Sequence, residues 1–242
     1  MATVILVRHG RTSANVSGVL AGRTPGVRLD DTGVAQAERT AARLAPVPLA
    51  AVVSSPLERC RQTAQAVVRA QAASLRVATD RGLTECDYGD WQGRPLKELA
   101  KEQLWKVVQT QPSAATFPGG ESLASMQARV VDAVRRRDAA VEAEHGPGAV
   151  WVAVSHGDLV KAVLADALGM HLDLFQRLHV DPASVSIVRY TATRPFVLAT
   201  NTHDGDLSWL VPPPAKKGRS RKSAASADAA VGGGAGPVAT TS

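Results

Sequence analysis

The chain opens on an unbroken apolar run, Thr3-Val4-Ile5-Leu6-Val7, that ends abruptly in Arg8-His9-Gly10. Without polar alternation, such a run predicts a strand buried on both faces. A second run, Ala149 to Val154, ends the same way, in Ser155-His156-Gly157. Between them, Ala50 to Ser54 predicts another buried strand and Arg76 to Ala78 a short one. Helical patterns fill the gaps. Val34 to Leu44 is Ala-rich, with Asp31 or Thr32 placed to cap it and Pro46 and Pro48 to stop it. Ser55-Pro56 reads as a helix start, serine as cap and proline at the first position, with the helix running to about Ala73. Pro95 to Trp105 predicts a short helix. A long one follows Glu121-Ser122, where Leu123, Met126, Val130, Val134 and Val141 fall mostly three or four apart. Leu159 to Leu168 predicts a helix after the second His-Gly, and Ser184 to Tyr190 and Phe196 to Thr200 predict closing strands.

This order predicts an α/β fold, a three-layer α/β/α sandwich with a mostly parallel central sheet. Beyond Leu210 the pattern stops. Three prolines, a basic cluster and an Ala/Gly/Ser-rich end offer no periodic apolar face to offset ordering entropy. The expected division is a folded domain over 1–211 and a disordered tail over 212–242.

Composition changes this picture little. The 242 residues are 45% hydrophobic and 21% charged, ordinary for a globular protein. No apolar run nears the roughly 20 residues needed to span a bilayer. The N-terminus shows no secretory pattern, and Cys60 and Cys86 are the only cysteines. Together these lead to the expectation of a cytoplasmic protein with reduced thiols packed as small apolar groups. The formal charge of +6 lies mostly in the tail, where Lys216, Lys217, Arg219, Arg221 and Lys222 face Asp228 alone. That cluster has no aromatic residue to stack on bases, so neither nucleic acid nor membrane is an expected partner.

The candidate chemistry lies at the strand ends. Parallel strands of one sheet deliver His9 and His156 to the same edge, where open α/β proteins bind ligands. Arg8 precedes one histidine, and Arg59 lies in the first turn of the helix after Ser55-Pro56, near free backbone N–H groups. Two arginines and two histidines around one point call for an anion, and guanidinium forks match phosphoryl oxygens. Asp158, next to the second His-Gly, reads as a helix cap turned away from such an anion. Asp87 and Asp90 match no compact metal spacing and read as a solvated loop.

These residues carry a family resemblance. Leu-Val-Arg8-His9-Gly10-Arg-Thr with Asn15, then Ser54 to Ala64 around Arg59, then Glu85 with Tyr88-Gly89-Asp90-Trp91, then Ser155-His156-Gly157 resemble, in order and spacing, the signatures of the histidine phosphatase superfamily, also called phosphoglycerate mutase-like. The likeness spans roughly residues 3–160. It implies a phosphoglycerate mutase-like fold and a metal-independent, cofactor-free reaction. Neutral His9 attacks phosphorus to give a phosphohistidine. Arg8, Arg59 and protonated His156 hold the phosphoryl oxygens. Glu85, its pKa raised, serves as proton donor and then acceptor. Asn15, the backbone at Gly22 and the Gly157 N–H are further phosphate contacts. The implied activity is hydrolysis of a small phosphorylated metabolite, with specificity set by residues 86–120. A phosphoglycerate mutase is the first alternative, disfavoured because Trp91 to Gly120 is short and lacks an Arg-Arg pair. A weakly active phospholigand-binding adaptor is the second. The oligomeric state stays open, a homodimer included.

Overall fold

The computed structural model describes residues 2–203 together with Val231, Gly232 and Gly234. Its strands are β1 (Thr3–Arg8), β2 (Leu49–Ser54), β3 (Val77–Thr79), β4 (Val150–Ser155), β5 (Val185–Arg189) and β6 (Phe196–Thr202). They form one sheet in the order β3-β2-β4-β1-β5-β6. The first four are mutually parallel, while β5 runs antiparallel to β1 and β6 antiparallel to β5. The mostly parallel sheet expected from the sequence is thus present, with an antiparallel edge added by the two closing strands.

The helices are α1 (Ser13–Ser17), α2 (Asp31–Leu44), α3 (Glu58–Ala70), α4 (Leu96–Leu99), α5 (Gln103–Thr110), α6 (Leu123–His145) and α7 (Gly157–Ala167). Successive strand residues point to opposite faces, and the core divides accordingly. Ile5, Val7, Val52, Val152 and Val154 pack with Ala37, Ala41, Ala64 and Val67 of α2 and α3. Val4, Leu6, Val53, Trp151 and Ala153 pack with Met126, Val130, Val134, Leu159 and Val163 of α6 and α7. Three layers result, as predicted.

Several boundaries differ from expectation for local reasons. Asp30, not Asp31 or Thr32, caps α2 through a side chain that accepts from the Gly33 N–H at 2.7 Å. The helix after Ser55-Pro56 begins only at Glu58 and has no side-chain cap, because the Ser55 hydroxyl is used elsewhere. Ala100 to Glu102 interrupt the single helix expected after Pro95, giving two short ones. No helix among the described residues is long and apolar enough to cross a membrane.

The tail expectation for 212–242 lies largely outside the described residues. Three of its positions are described: Val231 is buried, and Gly232 and Gly234 line the hollow beside His9. Val231 finds an apolar seat with Leu20 and Tyr88, a long-range contact that no local periodicity announces.

Candidate active site

Strand register brings the two histidines together. Arg8 on β1 is level with Ser155 on β4, so His9 and His156 leave the sheet side by side. Their ring centroids are 5.3 Å apart, edge to face. The turn after His9 needs Gly10 for space: a Cβ there would meet the Gly33 carbonyl oxygen at 2.4 Å. Arg59, in the first turn of α3, reaches both rings. Its Nε donates to His9 Nε2 at 3.3 Å, and its Nη2 lies 3.2 Å from His156 Nδ1 and 2.8 Å from the Gly22 carbonyl oxygen. Arg59 Nη1 is buried and has no hydrogen-bond partner among the described residues.

Glu85 arrives from the loop after β3. That loop is tied to β4 by the Ser155 hydroxyl, which donates to the Leu83 carbonyl at 2.8 Å. Arg129 of α6 clamps it further through the Gly82 and Thr84 carbonyls, and Arg23 Nε holds the Glu85 carbonyl at 2.9 Å. The Glu85 carboxylate, almost fully buried, has Oε2 3.5 Å from His156 Nδ1 and 3.9 Å from Arg59 Nη2.

These surroundings set the protonation states. Burial, then Arg59 and Arg8, hold the His9 pKa well below its ordinary value, so the ring is neutral. Its Nδ1–H donates to the Gly10 carbonyl at 2.7 Å, which leaves Nε2 as the basic nitrogen. Burial, and next the Asp158 charge, raise the Glu85 pKa to about 7, against the opposing pull of Arg59. The carboxyl therefore carries a proton for much of the time at neutral pH. Burial lowers the Arg8 pKa only to about 10, and the guanidinium stays charged.

The expected protonated His156 belongs to the phosphate-bound site. Burial and then Arg59 keep its pKa well below the ordinary value, so the ligand-free chain holds it neutral, not protonated. Its Nε2 lies 2.8 Å from the Ser55 hydroxyl oxygen. Burial is the larger cause of the lowered pKa and the nearby positive charge the next, and an arriving phosphate dianion would oppose the second.

The hollow beside His9 is lined by His9, Asn15, Gly22, Arg59 and Glu85, with Val19, Leu20, Ala21 and Leu96 as apolar walls. Arg8, His156 and Gly157 are buried but are not part of its lining. Asn15 is brought in by α1, where its Oδ1 accepts from the Thr12 N–H and hydroxyl; the amide N–H groups remain as donors. Gly157 is the first residue of α7, so its N–H has no intrahelical partner.

Some contributors escaped the sequence reading. Ser55 supports His156 instead of capping a helix. Asp158 does not cap α7, whose N-cap is His156; its carboxylate instead accepts from the Tyr88 hydroxyl at 2.8 Å and the Gly232 N–H at 2.9 Å. Both partners lie far away along the chain, and no local signal pointed to them. Cys60 lies 3.5 Å from His156 Nε2, but burial pushes its thiol up to about 12, which leaves it an unreactive packing group.

Residues 4–203 match the histidine phosphatase superfamily (branch 1), and the chain belongs to it. Among curated relatives, "Bifunctional protein Rv2228c" of Mycobacterium tuberculosis is 36% identical over 78% of this chain but only 50% of its own length. The chain thus spans about half the length of the first relatives it matches. Phosphoserine phosphatase 1 of Hydrogenobacter thermophilus is 32% identical over 83% of this chain and 92% of its own. Among solved structures, mycobacterial glucosyl-3-phosphoglycerate phosphatase Rv2419c in complex with VO3 superposes with a TM-score of 0.75 at 26% identity, covering 83% of this chain and 99% of that one.

Proposed function

We propose that this chain hydrolyses a small phosphate monoester through a phosphohistidine on His9. The observation that carries the reading is the convergence of a neutral His9, the Arg59 guanidinium and a carboxyl poised near neutrality on one buried hollow, with the charge of buried Arg8 also acting on His9. In the first step His9 Nε2 bonds to phosphorus as the P–O bond to the alcohol breaks, and the Glu85 proton passes to the leaving oxygen. Arg8, Arg59 and a His156 that gains a proton when the dianion arrives stabilise the non-bridging oxygens. Asn15, Gly22 and the Gly157 N–H add donors or hold donors in place. In the second step water attacks phosphorus, Glu85 takes its proton, and the P–N bond breaks to release phosphate.

Hydrolysis is favoured over a mutase reaction by the rim. Arg23 is occupied by Asp87 and Glu121, both at 3.0 Å, and Arg94 by Glu102 at 2.8 Å. Lys97, Lys101 and Lys106 are exposed to solvent. Among the described residues, Arg59 is the one guanidinium on the wall of the hollow, and the remaining wall is largely apolar. Such a wall suits an uncharged alcohol better than a carboxylate-bearing phosphoglycerate. The neighbouring phosphatases named above support hydrolysis, not the choice of an uncharged alcohol.

The test is phosphate release from a panel of monoesters, with alcohol portions from alkyl to carboxylate-bearing, using His9→Ala as control. We expect release that favours uncharged alcohols and a loss of at least about 10³-fold in the variant, the scale seen when a catalytic nucleophile is removed. Substantial turnover by the folded variant would remove His9 as nucleophile.

A further inference from the structure

We propose that Val231, Gly232 and Gly234 act as a built-in strap that closes the hollow and must leave before a phosphate monoester binds; this rests on reading the hollow as a phosphate site. Val231 is 1% exposed and shares an apolar cluster with Leu20 and Tyr88. The Gly232 N–H donates to Asp158 Oδ2 at 2.9 Å, and the Gly232 carbonyl faces Arg8 Nη2 at 3.5 Å. A peptide oxygen thus engages a guanidinium that would otherwise meet phosphate. Gly234 lies on the same wall.

Space and charge agree. With the strap seated, the hollow leaves about 30 Å³ free. A water needs roughly 10–15 Å³ of such space, so the hollow takes about two waters and no phosphoryl group with its alcohol. Asp158, which would repel a dianion, is the strap's anchor. Its two short hydrogen bonds come from Tyr88 and from the strap itself. Gly232 suits the position because its φ is +75° and a Cβ would meet Leu20 Cδ1 at 3.0 Å. Because the strap is covalently attached, its competition with substrate does not depend on protein concentration.

The test uses the full chain and Gly232→Val, whose β-branched side chain fits neither the backbone angle nor the space. A second variant lacks residues 212–242, which removes none of the strands or helices described. Binding of phenylphosphonate, a non-hydrolysable monoester mimic, is measured by calorimetry. A strap seated nine-tenths of the time weakens apparent affinity about tenfold, so both variants should bind roughly tenfold more tightly than the parent. On the parent chain itself, hydrogen exchange at Val231, Gly232 and Gly234 should accelerate when phenylphosphonate binds. Equal or weaker binding by a folded variant, or slower exchange in the parent, would overturn the strap and make the segment a wall of the occupied site. Absence of binding by all three chains would overturn the strap and the phosphate site together. Tighter binding without phosphate release would keep the strap and reject hydrolysis; release with unchanged affinity would do the reverse.

Discussion

Two places among the described residues gather a pair of imidazoles with a carboxylate, and they are built in opposite ways. Near β6, Asp181 accepts from His179 Nε2 at 3.0 Å, His203 Nε2 at 3.1 Å and Asn201 Nδ2 at 3.0 Å. Burial pushes its carboxyl up, but these hydrogen bonds outweigh burial and hold its pKa below the ordinary range. Every strong acceptor there has its donor, and the group asks for no ligand. At the end of β1 and β4 the balance is reversed. The histidines are buried and neutral among guanidiniums, Glu85 titrates near 7, and Arg59 Nη1 lacks a partner among the described residues. The same residue types make a structural clamp where donors match acceptors and a binding site where positive charge is left over.

Arg59→Ala removes the excess that defines the second group and should slow every substrate, whatever its leaving group. The loss of turnover should be about 10²–10³-fold, as for other donors to a transition-state oxyanion, with the largest part in kcat. A loss confined to KM would place Arg59 in ground-state binding alone. Glu85→Gln should slow alkyl phosphates by about 10²–10⁴-fold but an aryl phosphate with a good leaving group far less, because only the former need the proton. Equal losses would reject the acid role. In the parent, turnover of alkyl esters should decline as pH rises through about 7, where Glu85 loses its proton.

The same variant reads stability. A carboxyl whose pKa is raised in the folded chain binds its proton more tightly than in the unfolded one, so the parent loses stability as pH climbs from about 4.5 to about 7. Glu85→Gln has no such loss. It should melt above the parent at pH 8, by about 1–3 kcal/mol, and match it near pH 4. Asp181→Asn should act in the opposite sense. A depressed carboxyl stabilises above its unfolded pKa and ceases to do so as pH falls. The variant should therefore lose about 1–3 kcal/mol at pH 7 and converge on the parent in strong acid. Its turnover should fall far less than in Arg59→Ala, since the clamp touches no reacting group and reaches the site only through its charge on Arg8. A large activity loss would mean that the two groups are not separate.

Much of the binding group was legible because its parts end apolar runs. Strands β1 and β4 are continuous enough to be seen, and parallel pairing then forces His9 and His156 to one edge. Arg59 was legible from its place in a helix start. Glu85 was visible only through resemblance, since its loop has no periodicity and owes its position to Ser155, Arg129 and Arg23. Ser55 and Asp158 were misread for one reason: each sits where a cap belongs, and a distant partner, His156 or Tyr88, outcompeted the local backbone. Helix α1 has five residues, too few for a pattern, and Val231 is a single apolar side chain among glycines.

The central claim is tested most directly by stopping the reaction of a phosphate monoester within one turnover and locating the phosphoryl group by mass spectrometry under alkaline conditions, where phosphohistidine survives. The account predicts one phosphoryl group on His9, formed and lost at rates matching turnover and absent from His9→Ala. Steady release of phosphate with His9 unmodified throughout, or with the group on another residue, would contradict it.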